Sequence, residues 1–328
     1  MTENFWYKLP HPFFALAPMA DVTDAAFRRI VAKYGKPDVM WTEFVACDGL
    51  QSIGREHLMR DLSYTEAERP IVAQVFGSKP ENFKATAELI RELGFDGIDI
   101  NMGCPENNIV KQGAGAYLIN TPEIAKEIIL ATKEGAGALP VSVKTRIGYN
   151  KNELETWIPF LLETNISALT IHSRTRKEMS DVPARWELIK RAVEIRNEMK
   201  SQTLIIGNGD VKNISEGKER AKETACDGIM IGRGIFGNPW LFADRKDEPT
   251  FEEKCNVLLE HAFLFEKIFG NPSINSGQAK NFSILKKHFK SYINGFNGAK
   301  ELRVALMETE TAEEVKRILG NGIIAPIS

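Results

Sequence analysis

Asp99-Ile100-Asn101-Met102-Gly103-Cys104-Pro105 is the stretch from which the fold can be read. Apolar residues alternate at Ile98, Ile100 and Met102 after an aspartate-glycine turn, which predicts a short strand ending at a Gly-Cys-Pro loop. A thiol therefore sits at the end of a strand. Inert core filling is the ordinary role of a lone cysteine, so a chemical role requires a site built around it.

The same signal recurs on both sides. Short apolar strands are expected at residues 13–17, 39–44, 71–76, 98–102, 141–146, 168–172, 204–207 and 228–231, alternating with segments of helical periodicity. The first helix carries Phe27, Ile30, Val31 and Tyr34 on one face, with Thr23 or Asp24 as its cap and Gly35 as its stop. Later helices are expected after Ser78-Lys79-Pro80 and Thr121-Pro122, and over 153–163, 184–199 and 213–224. Strict alternation predicts a parallel sheet, and eight such units favour closure into a TIM (β/α)8 barrel over an open sheet. A polar linker is expected over 244–250, followed by helical patterns only, at 251–268, 278–293, 299–306 and 311–319. The expected organisation is thus a barrel over 1–245 and a small all-α domain over 251–328.

Composition excludes little beyond disorder and a bulk polyanion binder. The chain has 328 residues, 43% hydrophobic and 26% charged, with a formal net charge of -2. No segment approaches the ~18 uninterrupted apolar residues of a membrane span. Residues 1–10 lack a basic start followed by an apolar run, so a cytoplasmic protein is expected. Cys47, Cys104, Cys226 and Cys255 have no paired spacing, which argues against a zinc site or a disulfide framework; no metal is expected.

In such a barrel the C-terminal strand ends share one mouth, where sites are built. Read in order they offer Pro18-Met19-Ala20, Glu43, Gln74, Asn101 with Cys104, Lys144 with Arg146, His172 with Arg174, Asn208-Gly209-Asp210 and Gly232-Arg233-Gly234. The glycine turns after the last two strands sit where barrels bind phosphate, although such glycines also serve purely structural turns. Lys144 ends a strand otherwise built from Val141 and Val143 and should project into the mouth, where a fixed cation could stabilise a reduced flavin ring; a rim lysine reaching water is the alternative. Gln74 offers a donor and an acceptor suited to a flavin edge, and His172 either contacts the same cofactor or bonds backbone at the rim.

Together these residues resemble the tRNA-dihydrouridine synthase family, on the motifs LAPMADVTDAAFR, AQVFGS, NMGCP followed by GAGAYLI, VKTR, IHSRTR, NGD, GRGIFGNPW and LKKHFKSYINGFNGAKELR. The likeness spans nearly the whole chain, in family order. It implies FMN at the barrel mouth, NADPH as reductant and a uridine of tRNA as substrate. Carried over residue by residue, it implies FMN contacts from Pro18, Met19, Ala20, Gln74, Lys144, His172, Asn208, Gly209, Asp210, Gly232 and Arg233. Cys104 becomes the general acid, protonating C5 after a hydride from flavin N5 reaches C6, and Asn101, Arg146 and Arg174 help hold the base. Ser173 departs from the family, which usually has glycine between this histidine and arginine.

A base inside folded tRNA has to be extruded to reach such a pocket, so grip must come from elsewhere. Between Lys280 and Arg303, six cations stand against Glu301 alone, a net charge of +5, with Phe282, Phe289, Tyr292 and Phe296 interleaved. The aromatics are expected to pack inward and Lys286, Lys287 and Lys290 to contact phosphates, against the simpler reading of a solvated face. Two other readings stay open: a dihydroorotate or dihydropyrimidine dehydrogenase, and a non-catalytic RNA-binding protein. A monomer is expected; the reduced position in tRNA and the choice of NADPH over NADH have no signature in the sequence.

Overall fold

The computed structural model describes residues 4–243, 245, 247–270 and 280–323. Nine parallel strands form one sheet: β1 (Phe13–Leu16), β2 (Met40–Trp41), β3 (Val45–Ala46), β4 (Ile71–Phe76), β5 (Gly97–Met102), β6 (Val141–Arg146), β7 (Ala168–His172), β8 (Leu204–Asn208) and β9 (Gly228–Ile231). Their order is β1-β9-β8-β7-β6-β5-β4-β2, with β3 also on β4. A bridge between Ala15 and Val39 joins the two ends, so the sheet is a TIM barrel.

The helices α1 (Ala25–Tyr34), α4 (Pro80–Glu92), α6 (Pro122–Ala136), α7 (Leu154–Leu162), α8 (Trp186–Glu198) and α9 (Ile214–Thr224) cover the barrel. Short helices α2 (Cys47–Leu50), α3 (Arg55–Met59) and α5 (Asn107–Val110) lie in the loops. The Asp24 carboxylate caps α1 as expected, accepting from Phe27 N–H, and at α9 the structure adds a cap in Asn213, which accepts from Glu216 N–H.

The single strand expected over 39–44 is broken in two. Thr42 is the reason: its backbone N–H still reaches Val72, but its hydroxyl bonds the Glu43 carbonyl and accepts from Gln74 N–H in place of a ladder partner. Residues 42–44 are thereby turned out of the sheet between β2 and β3, which share one barrel position.

Strand alternation sorts the side chains. Ile98, Ile100, Val141 and Val143 face the helices, while Asp99, Asn101, Ser142 and Lys144 alternate to the barrel interior. Trp6, Phe13, Trp41, Ala168 and Leu204 pack together at the strand starts, with the Trp6 and Trp41 rings 5.8 Å apart, and close the end opposite the mouth.

Beyond the barrel lie α10 (Phe251–Phe269), α11 (Lys286–Tyr292), α12 (Ala299–Met307) and α13 (Ala312–Ile323). Thr250 and Glu253 form a reciprocal cap at the start of α10. The helix expected over 278–293 begins later in its described part: Asn281 accepts from Ser283 N–H and sets a 3-10 turn over Phe282–Ile284 before α11; residues 278 and 279 lie outside the described residues. Of the expected linker, residues 244 and 246 also lie outside them. Among the described residues this region shares its core with the barrel. Ala25, Ala26 and Ile30 of α1 pack with Trp240, Leu258, Phe265 and Phe289, so α1 joins barrel and helices.

Candidate active site

β5 and β6 bring Asn101, Lys144 and Arg146 to the mouth. Asn101 and Lys144 are register partners, as are Arg146 and His172, and His172 and Asn208. Four successive strand ends therefore place their polar residues side by side.

The Cys104 loop is fixed from three directions. Asn101 Oδ1 accepts from Gly103 N–H at 3.1 Å and Cys104 N–H at 2.9 Å. Arg146 donates through Nε to the Gly103 carbonyl at 2.8 Å, and through Nη1 to the carbonyls of Thr175 and Met179. Gly115, at φ +61°, lies behind the loop: a Cβ there would stand 2.8 Å from the Cys104 carbonyl oxygen, so only glycine fits. The thiol lies among Ile109, Ala114, Phe44 and Phe76, and burial pushes its pKa above the ordinary thiol value. It is protonated at neutral pH.

A cavity of about 500 Å³ opens at the mouth, within the range of cofactor sites. Of the eleven residues expected to hold a cofactor, Pro18, Met19, Lys144, His172, Asn208, Gly209, Asp210, Gly232 and Arg233 line it. The other two do not. Ala20 is exposed on its loop, and Gln74 is fully buried, with Nε2 donating to Asp99 Oδ2 and Oε1 accepting from Asn101 Nδ2.

Hydrogen bonds and neighbouring charges set the orientation of Asn208, the charge available on Lys144 and the tautomer of His172. Asn208 Nδ2 donates to the Met230 carbonyl at 2.8 Å, which turns Oδ1 toward the Lys144 ammonium at 3.3 Å. Burial, then the Arg146 charge, lower the Lys144 pKa to about 8. Three donors with one long bond leave this cation able to bind an acceptor in the cavity. His172 is neutral: burial first, then the charges of Arg146, Lys144 and Arg174, hold its pKa well below the usual value. Because a guanidinium only donates, the Arg174 Nη1 contact at 3.0 Å makes His172 Nε2 the acceptor and leaves the proton on Nδ1.

Asp210 joins the phosphate-type turns. It accepts from Arg174 Nη2, from Arg233 Nη2 at 2.7 Å and from Ala184 N–H at 2.9 Å. Arg174, only 2% exposed, also donates to the Val182 carbonyl and is a brace inside the wall. Gly209 at φ +134° tolerates no Cβ, which would meet Ala184 Cβ at 2.7 Å. Ser173, the departure from the family pattern, is fully buried with its hydroxyl 3.4 Å from that same Cβ position, so it occupies space behind the turn.

The residues present fit a flavin mononucleotide: a cavity of suitable size, an under-bonded ammonium at one wall and a guanidinium beside glycine turns at another. Among the described residues no group of three or more His, Cys, Asp or Glu is arranged to hold a metal ion, and no helix is long and apolar enough to cross a membrane.

On the helical side, Phe282, Phe289 and Tyr292 are buried, whereas Lys287 and Lys290 are exposed and Lys286 half-buried. Lys280 is not part of this basic face. It pairs instead with Glu43 at 3.1 Å and Asp61 at 2.8 Å, because those carboxylates lie partly buried at the barrel rim. Asp99 and Ser142 lie behind Gln74, and their signal in the sequence is that polar residues fill the inward positions of β5 and β6.

Known proteins place this geometry. Morphinone reductase superposes with a TM-score of 0.53 at 12% identity, covering 73% of this chain and 86% of its own. Histamine dehydrogenase from Rhizobium sp. 4-9 gives 0.54 at 14% identity, covering 76% and 48%. The dihydrouridine synthase family model matches residues 15–324. A probable tRNA-dihydrouridine synthase of Staphylococcus aureus (strain COL) is 44% identical over 321 residues, covering 97% of this chain and 95% of its own. Probable tRNA-dihydrouridine synthase 2 of Bacillus subtilis (strain 168) is likewise 44% identical, covering 97% and 96%. The protein is thus a flavin-dependent oxidoreductase built on a TIM barrel. More particularly, the chain belongs to the dihydrouridine synthase family.

Proposed function

We propose that this enzyme, working in the cytoplasm, reduces a uridine of tRNA to 5,6-dihydrouridine with FMN in the mouth cavity. When bound there, FMN supplies the hydride that ends on C6 of the uracil ring, and NADPH is the reductant that renews it. The remaining work falls to the chain's own side chains. Cys104, kept protonated by burial, gives its proton to C5 from the opposite face. Lys144, at the neighbouring strand end, holds positive charge against the cofactor's acceptor edge, and His172 stays neutral beside it.

We assign Pro18, Met19, Asn208, Gly209, Asp210, Gly232 and Arg233 to enclosing the cofactor, and Gln74 to support from below. Asn101, Arg146 and Arg174 shape the base pocket through the loops they bind. Lys286, Lys287 and Lys290, in the helical domain of residues 251–328, take the tRNA phosphates.

The observation that carries this reading is the pinned, protonated Cys104 thiol at a strand end next to that of Lys144. The test is to incubate flavin-loaded protein and NADPH with unmodified tRNA and map nucleosides by mass spectrometry. A uridine that gains two hydrogens supports the reading; unchanged tRNA beside turnover of free dihydroorotate replaces it with the dehydrogenase alternative.

A further inference from the structure

We propose that Asp99 is a positioning residue for the Cys104 loop, acting through Gln74 and Asn101. The four residues form one buried relay. Ser142 Oγ donates to Asp99 Oδ1 at 2.6 Å, Gln74 Nε2 donates to Asp99 Oδ2 at 2.7 Å, and Asn101 Nδ2 donates to Gln74 Oε1 at 3.1 Å. The relay ends where Asn101 Oδ1 accepts from Gly103 N–H and Cys104 N–H. Asp99 and Gln74 are fully buried, Ser142 is 1% exposed and Asn101 6%.

The relay has a direction, and the carboxylate sets it. An ionised carboxylate only accepts, so the NH2 end of Gln74 must face Asp99 and its oxygen must face Asn101. Asn101 is then forced to turn its NH2 toward Gln74 and its oxygen toward the loop. If Gln74 flips, its NH2 meets the NH2 of Asn101. If Asn101 flips in response, its NH2 meets two backbone N–H groups, and three buried donors lose their acceptor. Register supports the arrangement, because Gln74, Asp99 and Ser142 are consecutive partners across β4, β5 and β6. At neutral pH the carboxyl is ionised: burial raises its pKa to about 6, against the lowering by Gln74 and Ser142.

An asparagine at 99 can replace the carboxylate, giving Oδ1 to Gln74 and NH2 to the Ser142 oxygen. An alanine cannot. The inference rests on Cys104 as proton donor only for its effect on turnover; the effect on the loop is independent of that reading.

The test uses the flavin-loaded enzyme and two readouts. One is the rate of Cys104 alkylation by iodoacetamide, followed by peptide mass spectrometry with Cys47, Cys226 and Cys255 as internal references. The other is kcat and KM for tRNA. Losing one buried acceptor, Asp99→Ala should raise Cys104 labelling about fivefold and lower kcat about tenfold, with KM within about twofold. Asp99→Asn should restore both. Wild-type labelling in Asp99→Ala overturns the inference, and so does an Asp99→Asn variant as impaired as the alanine. If Asp99→Ala does not fold, Gln74→Met breaks the relay one bond nearer the loop, and wild-type labelling there overturns it equally. Faster labelling with unchanged turnover upholds the relay and removes Cys104 from the chemistry.

Discussion

Lys280 reaches across from the helical region to Glu43 at the barrel rim, Nζ to Oε2 3.1 Å, and the other Glu43 oxygen accepts from Asp21 N–H. One ion pair thus ties the helices to the loop that carries Met19 and Ala20. Lys280 is 17% exposed and Glu43 7%, so the pair is largely out of water.

Removing only the cation leaves two partly buried carboxylates uncompensated. Lys280→Met should therefore lower the unfolding free energy by about 2–4 kcal/mol in urea titrations at pH 7. Adding Glu43→Gln should recover part of the loss, since the amide oxygen still accepts from Asp21. No change in the single variant contradicts the assigned pairing.

Cys104→Ala removes the thiol proposed as proton donor and leaves the cavity wall intact, because Cys104 is not among the lining residues. Turnover should fall roughly 10²–10⁴-fold while flavin content is unchanged. Wild-type turnover with full flavin content excludes Cys104 as the acid.

Flavin affinity should depend on pH through Lys144. Its pKa is lowered, to about 8, so the ammonium is present below that pH and lost as pH rises through it. A charge-assisted bond contributes about 1.5–3 kcal/mol, so binding should weaken about tenfold or more between roughly pH 7 and pH 9.5. Lys144→Met should bind weakly with no such step. Fluorescence titrations across this range decide the matter, and a wild-type profile in the variant contradicts it.

How much of this was legible beforehand follows from what local sequence encodes. Alternation at Ile98, Ile100 and Met102, and a cap such as Asp24, act over a few residues and announced the barrel and its mouth. The break of the second strand depends on a Thr42 hydroxyl meeting Gln74, and Lys280 leaves the basic face for carboxylates more than 200 residues away. Such partners are set by folding, and no spacing rule announces them. Gln74 shows the same limit: its position at a strand end suggested the cavity wall, while pairing with Asp99 draws it beneath.

The basic face makes a quantitative prediction. Replacing Lys286, Lys287 and Lys290 with neutral residues should lower the slope of log binding constant against log salt by about two, if each engages a phosphate. An unchanged slope assigns these lysines to ordinary solvation. Lys280 should add little to the slope, because its charge is already matched by Glu43 and Asp61.

The most direct test of the central claim is an anaerobic spectrum of the flavin-loaded enzyme, reduced with NADPH and then mixed with unmodified tRNA. Flavin absorbance should bleach with NADPH and return when tRNA is added, with dihydrouridine in the recovered RNA. Flavin that stays reduced with tRNA present contradicts it.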